Sequence, residues 1–323
     1  MPEAAVTLSP RGVERIFAGH PWIYRSDVSA SPEIAAGTVV SVRDRRKRFL
    51  GQALYSNRSQ IALRLLTREK RPIDRAFLAE RIQAAADYRR QVVQDSEAFR
   101  LVASEGDVLP SLVIDRYGEY LVVQTLSQGM EKLKPVVTDI LQEKFSPRGI
   151  VERNDAAVRS LEALEQAKGV LSGEAPEEAI VSINGLRFAF NLLEGQKTGG
   201  FLDQRENQRA AQSYAFGRAL DCFTYAGGFA LHISRCCDSV LGIDSSQDAL
   251  RLAQRNAELN SISNVEWKEA NCFDFLKAAD QAGERFDVVV LDPPAFARQR
   301  SNLDSALRGY KELNLRGLKI LNP

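Results

Sequence analysis

Asp221-Cys222-Phe223-Thr224-Tyr225-Ala226-Gly227-Gly228-Phe229 decides how this chain is read. An apolar run at 218–223 has strand character, and a helical pattern follows at 228–235. The alternation then repeats three times. Residues 240–243 read as a strand and 247–260 as a long helix. Residues 265–268 and 273–279 form the next pair, and 286–291 and 304–321 the last. Short apolar strands separated by helices imply a parallel sheet covered on both faces. Right-handed crossovers then give a doubly wound α/β fold, in which ligands bind at the carboxyl ends of the strands.

Three of those ends are unusual. Gly227 and Gly228 follow the first and are expected to let backbone approach a ligand with no Cβ in the way. Asp244, in Gly242-Ile243-Asp244-Ser245, ends the second strand 23 residues after Asp221, where a carboxylate can accept both hydroxyls of a ribose. The third continues as Leu291-Asp292-Pro293-Pro294-Ala295-Phe296, whose prolines fix the chain and hold Asp292. A nicotinamide dehydrogenase would place G-x-G-x-x-G here, because a pyrophosphate sits on the helix N-terminus. The spacing before Gly227 differs, and S-adenosylmethionine, which has no phosphate, fits better. Glycines and prolines that merely make turns are the alternative for each motif taken alone, and a weaker one for three in register.

Upstream, residues 1–72 read as a β-rich module with strands at 39–42 and 61–65 and turns at Gly37 and Gly51. Arg45, Arg46, Lys47 and Arg48 fall at the hairpin between them, where long cationic side chains can reach phosphates. Trp22 and Tyr24 are expected in the core of a small barrel rather than stacked on bases. His20 has no partner at ligand spacing and is assigned no chemistry. Residues 73–190 read as α+β, with helices at 73–94 and 132–144, strands at 99–102, 112–115, 120–125 and 149–152, and a hairpin around Asn184-Gly185.

The 323 residues are 44% apolar and 26% charged, an ordinary globular balance. Net charge is +1, but residues 1–72 hold 13 Lys/Arg against 6 Asp/Glu, a net +7, and the remainder 30 against 36. A basic module on a mildly acidic body suits a polyanion partner met by one end, with a solvated basic face as the alternative. No apolar run approaches the roughly 18–20 residues of a membrane span, and residues 1–10 lack the pattern of a signal peptide. Cys222, Cys236, Cys237 and Cys272 form no C-x-x-C pair. That argues against a disulfide framework or zinc site and for a reducing cytoplasm. No metal is expected.

Several stretches resemble bacterial ribosomal RNA large-subunit methyltransferases of the RlmI type. They are Gly19-His20-Pro21-Trp22, Glu105-Gly106-Asp107-Val108-Leu109-Pro110, Val113-Ile114-Asp115-Arg116-Tyr117-Gly118, Glu152-Arg153-Asn154-Asp155 and the long run from Gly195 through Lys197, Thr198, Phe201, Gln204 and Arg205 to Asn207. The resemblance implies a PUA-like RNA-binding domain at 1–72, a central α+β domain at 73–190 and a Rossmann-like class I methyltransferase domain with an incomplete sheet at 191–323. It implies S-adenosylmethionine bound along Phe223, Thr224, Tyr225, Gly227 and Gly228, with Asp244 and Ser245 at the ribose. Asn271, beside Cys272, stands where similar enzymes usually place an Asp near adenine. Lys197, Thr198 and Arg205 are expected at the donor's methionine end or an RNA phosphate, with surface ion pairing as the alternative. Asp292, Pro293, Pro294 and Phe296 would face the base. The implied partner is ribosomal RNA, with no membrane; a homodimer is compatible.

Similar enzymes methylate carbon 5 of cytosine, a carbon too weak to attack a methyl sulfonium unaided. A cysteine thiolate adds to carbon 6 and makes carbon 5 enamine-like; methyl transfer and proton loss then release the enzyme. Asp292 would accept from the N4 amino group. In this family the thiol follows the strand after the last helix, so it is expected beyond Pro323, past a sheet of which four strands of seven are counted. The four cysteines present read as structural thiols. Two rival readings stand. Asp-Pro-Pro-x-Phe is close to a loop used for purine nitrogen methylation, with Phe296 stacked on the base. A non-catalytic RNA-binding or ribosome-assembly factor would give no calorimetric heat with S-adenosylmethionine.

Overall fold

The computed structural model describes residues 4–30, 33–297 and 302–323. Met1, Pro2 and Glu3, part of the N-terminal stretch read above, lie outside the described residues. The chain divides into two compact units: Met1–Ala179 with Phe190–Leu202, and Ile180–Ala189 with Asp203–Pro323.

The first unit opens with β1 (Ala5–Leu8), α1 (Pro10–Phe17), β2 (Trp22–Tyr24), β3 (Val28–Ala30), β4 (Val39–Arg43), β5 (Phe49–Tyr55) and β6 (Ile61–Thr67). These strands make one sheet in the order β2-β6-β5-β4-β1-β3 over a core that includes Val6, Leu8, Ile16, Ile23, Val42 and Leu63. Then come α2 (Arg75–Val92), β7 (Ala98–Ala103), β8 (Leu112–Tyr117), β9 (Tyr120–Thr125), α3 (Gln128–Phe145), β10 (Gly149–Asn154) and β11 (Ala167–Gly173), with the sheet order β11-β10-β9-β8-β7. Asp74 and Ser127 start the two helices by accepting from Phe77 N and Met130 N. Leu54 of β5 and Leu66 of β6 are buried with Phe77, Ile82, Ile114 and Val137. One apolar core therefore runs under both sheets.

Three details differ from the sequence reading. Gly51 lies inside β5 and makes no turn; a Cβ there would sit 2.5 Å from the Thr67 carbonyl, so glycine is required by a close strand approach. The aromatic pair is not core. Ile23 is the buried residue of β2, while Trp22 donates its indole N–H to Glu105 Oε1 at 2.8 Å and Tyr24 lies under the Arg15 guanidinium at 4.8 Å. Strand alternation decides this, because neighbours point to opposite faces. Finally β1, α1, β2, β3, β5 and β11 went unread; α1 is short and polar, and β11 is a half-exposed edge strand carrying Lys168, Gly169 and Gly173.

The second unit begins with the hairpin β12 (Ala179–Ile183) and β13 (Leu186–Phe190), turned at Asn184 (φ 53°) and Gly185 (φ 73°). Positive φ at both turn residues matches the strand twist. It continues with α4 (Arg205–Ala211), β14 (Arg218–Cys222), α5 (Gly228–Ile233), β15 (Ser239–Asp244), α6 (Gln247–Leu259), β16 (Val265–Glu269), α7 (Cys272–Ala282), β17 (Val288–Leu291) and α8 (Leu303–Lys319). Among the described residues the sheet has four strands, all parallel, in the order β16-β15-β14-β17. The order reverses at β14: β15 and β16 lie to one side and β17 to the other. This is the switch point at which doubly wound sheets open a crevice.

Candidate donor site at the strand ends

Register brings the three unusual strand ends to one level. Cys222 of β14 pairs with Ile243 of β15 on one side and Leu291 of β17 on the other. Asp244 and Asp292 are each one residue beyond that row, flanking the loop that starts at Phe223. With strands about 4.8 Å apart, the two carboxylate-bearing positions are about 10 Å apart across the central strand.

The loop between β14 and α5 is held by Asp221, Asp244 and backbone. Asp221 is buried; its Oδ2 accepts from Thr224 Oγ1 at 2.6 Å and Ala230 N at 2.9 Å. Thr224 N donates to the Ile243 carbonyl at 3.0 Å. Asp244 Oδ2 accepts from Tyr225 N at 3.0 Å and Oδ1 from Ser246 N at 2.9 Å. Phe223 (φ 64°) and Tyr225 (φ 48°) both lie in the left-handed region. Such strain persists only where the surroundings impose it, and it gathers at ligand clamps. Ser245 is exposed, and the next residue, Ser246, caps α6.

The glycines of the loop serve the protein's own packing. A Cβ on Gly227 would lie 2.8 Å from the Trp267 ring, and one on Gly228 2.3 Å from Gln208 Nε2. The expectation that their missing side chains leave room for a ligand is therefore corrected: the room is filled by an indole from β16 and a glutamine from α4.

Asn271 is the N-cap of α7; its Oδ1 accepts from Phe273 N at 2.9 Å and Asp274 N at 3.4 Å, which leaves its amide N–H groups for a ligand. The Cys272 and Cys222 thiols are buried and hydrogen-bonded to each other. That contact pushes Cys222 up and, together with the Phe223 N–H, draws Cys272 down. Asp292 Oδ1 accepts from Gln204 Nε2 at 3.2 Å. Pro293 is half-buried and Pro294 exposed. The Phe296 ring packs on Tyr310 at 4.5 Å and Phe273 at 5.8 Å between centroids. Arg205 pairs with Glu206 at 2.8 Å, and its carbonyl accepts from Asn184 Nδ2 at 2.9 Å.

Lys197 and Thr198 belong to the first unit. Thr198 is buried and donates to Asp115 Oδ2 at 2.6 Å; Lys197, at φ 53°, holds its ammonium 4.3 Å from the centre of the Phe201 ring. The basic hairpin, also in the first unit, is built around Asp44. That carboxylate accepts from Arg46 N, Arg48 N and Arg48 Nε, the last at 2.6 Å, so Arg48 is partly neutralised while Arg45, Arg46 and Lys47 are exposed.

Sequence reasoning missed Gln208 and Trp267, and quoted Gln204 and Asp221 without giving either a role. Gln204 and Asp292 are 88 residues apart. A glutamine or a tryptophan in an ordinary helix or strand carries no local mark of such a role.

The residues fit S-adenosylmethionine. A strand-end carboxylate, backbone N–H groups of the loop and the Asn271 amide stand at the same end of the sheet, and one buried carboxylate oxygen, Asp221 Oδ1, has no hydrogen-bond partner among the described residues. Residues 156–321 match the family described as S-adenosylmethionine-dependent methyltransferases, and residues 6–68 match a PUA-like domain. The chain is a methyltransferase that uses S-adenosylmethionine. It is 37% identical to ribosomal RNA large subunit methyltransferase I of Cronobacter sakazakii over 94% of this chain and 79% of that protein. It is 39% identical to the protein of the same name from Vibrio cholerae serotype O1, with the same coverage. The chain belongs to the ribosomal RNA large subunit methyltransferase I family. Two solved structures share the fold at 21% identity. One is a protein from Streptococcus mutans described as a SAM-dependent methyltransferase (TM-score 0.81, covering 99% of this chain and 83% of that one). The other is described as a methyltransferase complexed with SAH (TM-score 0.82, 100% and 84%).

Proposed function

We propose that this protein methylates carbon 5 of a cytosine in large-subunit ribosomal RNA. The observation that carries the reading is the alignment of Asp244, the Phe223–Gly228 loop and Asp292 at one end of a parallel sheet, in a chain more than a third identical to enzymes named for that RNA. Residues 191–323 carry out the transfer, and the basic module at 1–72 meets the RNA through Arg45, Arg46 and Lys47, with Arg48 contributing less. The bound donor supplies an activated methyl group. Asp244 accepts from its ribose, the Phe223, Thr224, Tyr225, Gly227 and Gly228 backbone lines it with Ser245 near the sugar, and Asn271 and Cys272 border its adenine. Asp292, steadied by Gln204 and followed by Pro293 and Pro294, accepts from the N4 amino group of the base. Lys197, Thr198 and Arg205 act by shaping the segment that leads into α4 more than by direct contact, since Thr198 and Arg205 already have partners in the protein.

Carbon-5 chemistry needs a thiolate on carbon 6, and none of the four cysteines here suits it. Cys222, Cys237 and Cys272 are buried, and Cys236 lies beyond α5, at the opposite end of the strands from Asp292. Purine nitrogen methylation is less well supported, because Phe296, which would stack on the purine, is packed on Tyr310 and Phe273. The four free thiols suit a reducing cytoplasm; among the described residues no helix is long and apolar enough to cross a membrane.

The test is to incubate unmodified large-subunit RNA with methyl-labelled donor and the product of the whole reading frame, then identify the labelled nucleoside by mass spectrometry. Labelled 5-methylcytidine supports the reading. An N-methylated purine replaces it with the nitrogen chemistry. Donor binding without any transfer points to an assembly role.

A further inference from the structure

Gln204 immediately precedes α4 and stands beside Asp292, the residue that follows β17; both are half-buried, so a ligand can reach them. Gln208, four residues on, lies on the same face of α4. Its amide packs on Gly228 at the start of α5, where a Cβ would be 2.3 Å from Nε2. One face of α4 therefore borders the crevice from the end of β17 to the start of α5. The Gln204 amide has one permitted orientation there. A carboxylate only accepts, so the nitrogen must face Asp292, and Nε2 donates to Oδ1 at 3.2 Å. That turns Oε1 to Asn207, whose Nδ2 donates to it at 2.7 Å. Nε2 carries two N–H groups, and the second has no partner among the described residues. A carboxylate has about four acceptor positions, so one bond from Gln204 does not exhaust Asp292. An acceptor and a donor thus lie side by side beyond β17, 3.2 Å apart. The neighbouring N4 and N3 atoms of cytosine are a donor and an acceptor in matching order. O4 and N3 of uracil are an acceptor and a donor, so both contacts invert.

We propose that Gln204 is a specificity-determining residue: its second N–H donates to N3 of the target base while Asp292 accepts from the N4 amino group, and the pair admits cytosine and rejects uracil. This assignment rests on the carbon-5 reading and names what selects its base. Shape separates the two pyrimidines poorly, because they are nearly equal in size. Uracil would set O4 against the Asp292 carboxylate and N3–H against the Gln204 N–H, leaving polar groups desolvated and unpaired, which is the costly outcome. Asn207 acts through Gln204: by holding Oε1 it keeps the amide from rotating.

The experiment uses the product of the whole reading frame and a fragment of large-subunit RNA around the position labelled as 5-methylcytidine, made with cytidine or with uridine at that one position. Affinity for each fragment is measured with S-adenosylhomocysteine present, which prevents turnover. The unaltered protein is expected to bind the cytidine fragment more tightly. Gln204→Ala should shrink that preference by about fivefold or more, the lower end of what a good bidentate base contact contributes. Gln204→Glu, which keeps the length and replaces the donor by an acceptor, should shrink it further. A residue that only shaped the fold would weaken both fragments alike and leave their ratio unchanged. If the variants do not fold, the unaltered protein is given the fragment with 3-deazacytidine, which keeps the amino group and lacks the N3 acceptor; a loss of about fivefold or more in affinity supports the contact. No preference in the unaltered protein, an unchanged ratio in folded Gln204→Ala, or equal affinity for the 3-deazacytidine fragment overturns the assignment and leaves carbon-5 methylation standing. Absence of 5-methylcytidine from the products of the unaltered protein overturns the carbon-5 reading itself.

Discussion

Replacing Gly242 by alanine tests how the loop between β14 and α5 is supported. Gly242 of β15 pairs in register with Trp267 of β16, and the indole packs against the glycine. A Cβ at 242 would stand 2.5 Å from both Cε3 and Cζ3 of that ring and 3.3 Å from Thr224 Cγ2. Ordinary contact begins near 3.4 Å, so the ring must retreat by about 1 Å. It cannot move toward the loop, because it already sits where a Cβ on Gly227 would be, at 2.8 Å. Overpacking of this kind costs about 1–3 kcal/mol. Replacing a strand glycine by alanine returns about 0.5–1 kcal/mol. A net loss of about 1–2 kcal/mol remains, which lowers the urea midpoint by roughly 0.5–1 M at an m-value of about 2 kcal/mol per M. Unfolding is followed by far-ultraviolet circular dichroism in every variant; the chain has two tryptophans, so Trp267 emission in a Trp22→Phe background reports the ring's surroundings in the Gly242→Ala protein. Trp267→Leu should relieve the clash, so the double variant should be more stable than the two single effects sum to, by about 0.5–3 kcal/mol. A Gly242→Ala protein that unfolds at the unaltered urea concentration with unchanged emission, or strict additivity, would refute the packing argument.

Other outcomes follow from the same geometry. Asp244→Asn keeps an acceptor for one loop N–H but loses the charge, and donor affinity should drop at least tenfold, since hydrogen bonds to charged groups contribute about 1.5–3 kcal/mol; titration showing unaltered affinity would move the ribose elsewhere. Asp244→Ala frees both Tyr225 N and Ser246 N and should cost stability as well. Neutralising Arg45, Arg46 and Lys47 together should flatten the salt dependence of RNA binding by about 0.7–0.9 for each phosphate no longer neutralised, with Arg48 adding less because Asp44 holds it; an unchanged slope removes the hairpin from the interface. Glu162→Ala strands Arg64, whose guanidinium is 2.8 Å from Glu162 Oε1 in a nearly dry pair, and should cost about 3–5 kcal/mol in urea unfolding, against little for an exposed pair such as Arg148–Glu174. His232 is buried, donates Nδ1–H to the Gly228 carbonyl and accepts from Asn184 at Nε2; burial holds it below its usual 6.5, so its contribution is full above that pH and is lost as pH falls through the lowered folded value. Asp221 runs the other way: raised to about 7, it contributes fully below 3.8 and loses that contribution as pH rises through 7. His232→Gln should therefore flatten the acid limb of the donor-free stability profile and Asp221→Asn the alkaline limb; limbs that persist in these variants would assign them to other groups.

The sequence by itself determined the strand–helix alternation, the Asn184-Gly185 hairpin and the three strand ends that register brings to one level. These are marked by local rules: apolar period, turn chemistry, and glycines, prolines or carboxylates placed where a parallel strand stops. It did not determine why Gly227 and Gly242 are glycines, that Gln204 donates to Asp292, that Asn271 caps a helix, or that one oxygen of Asp221 finds no partner among the described residues. Each of those depends on a group brought from elsewhere in the chain, across a sheet register or between helices. A single chain segment carries its own periodicity, but the identity of what packs against it is settled only when distant segments compete for the same few ångströms.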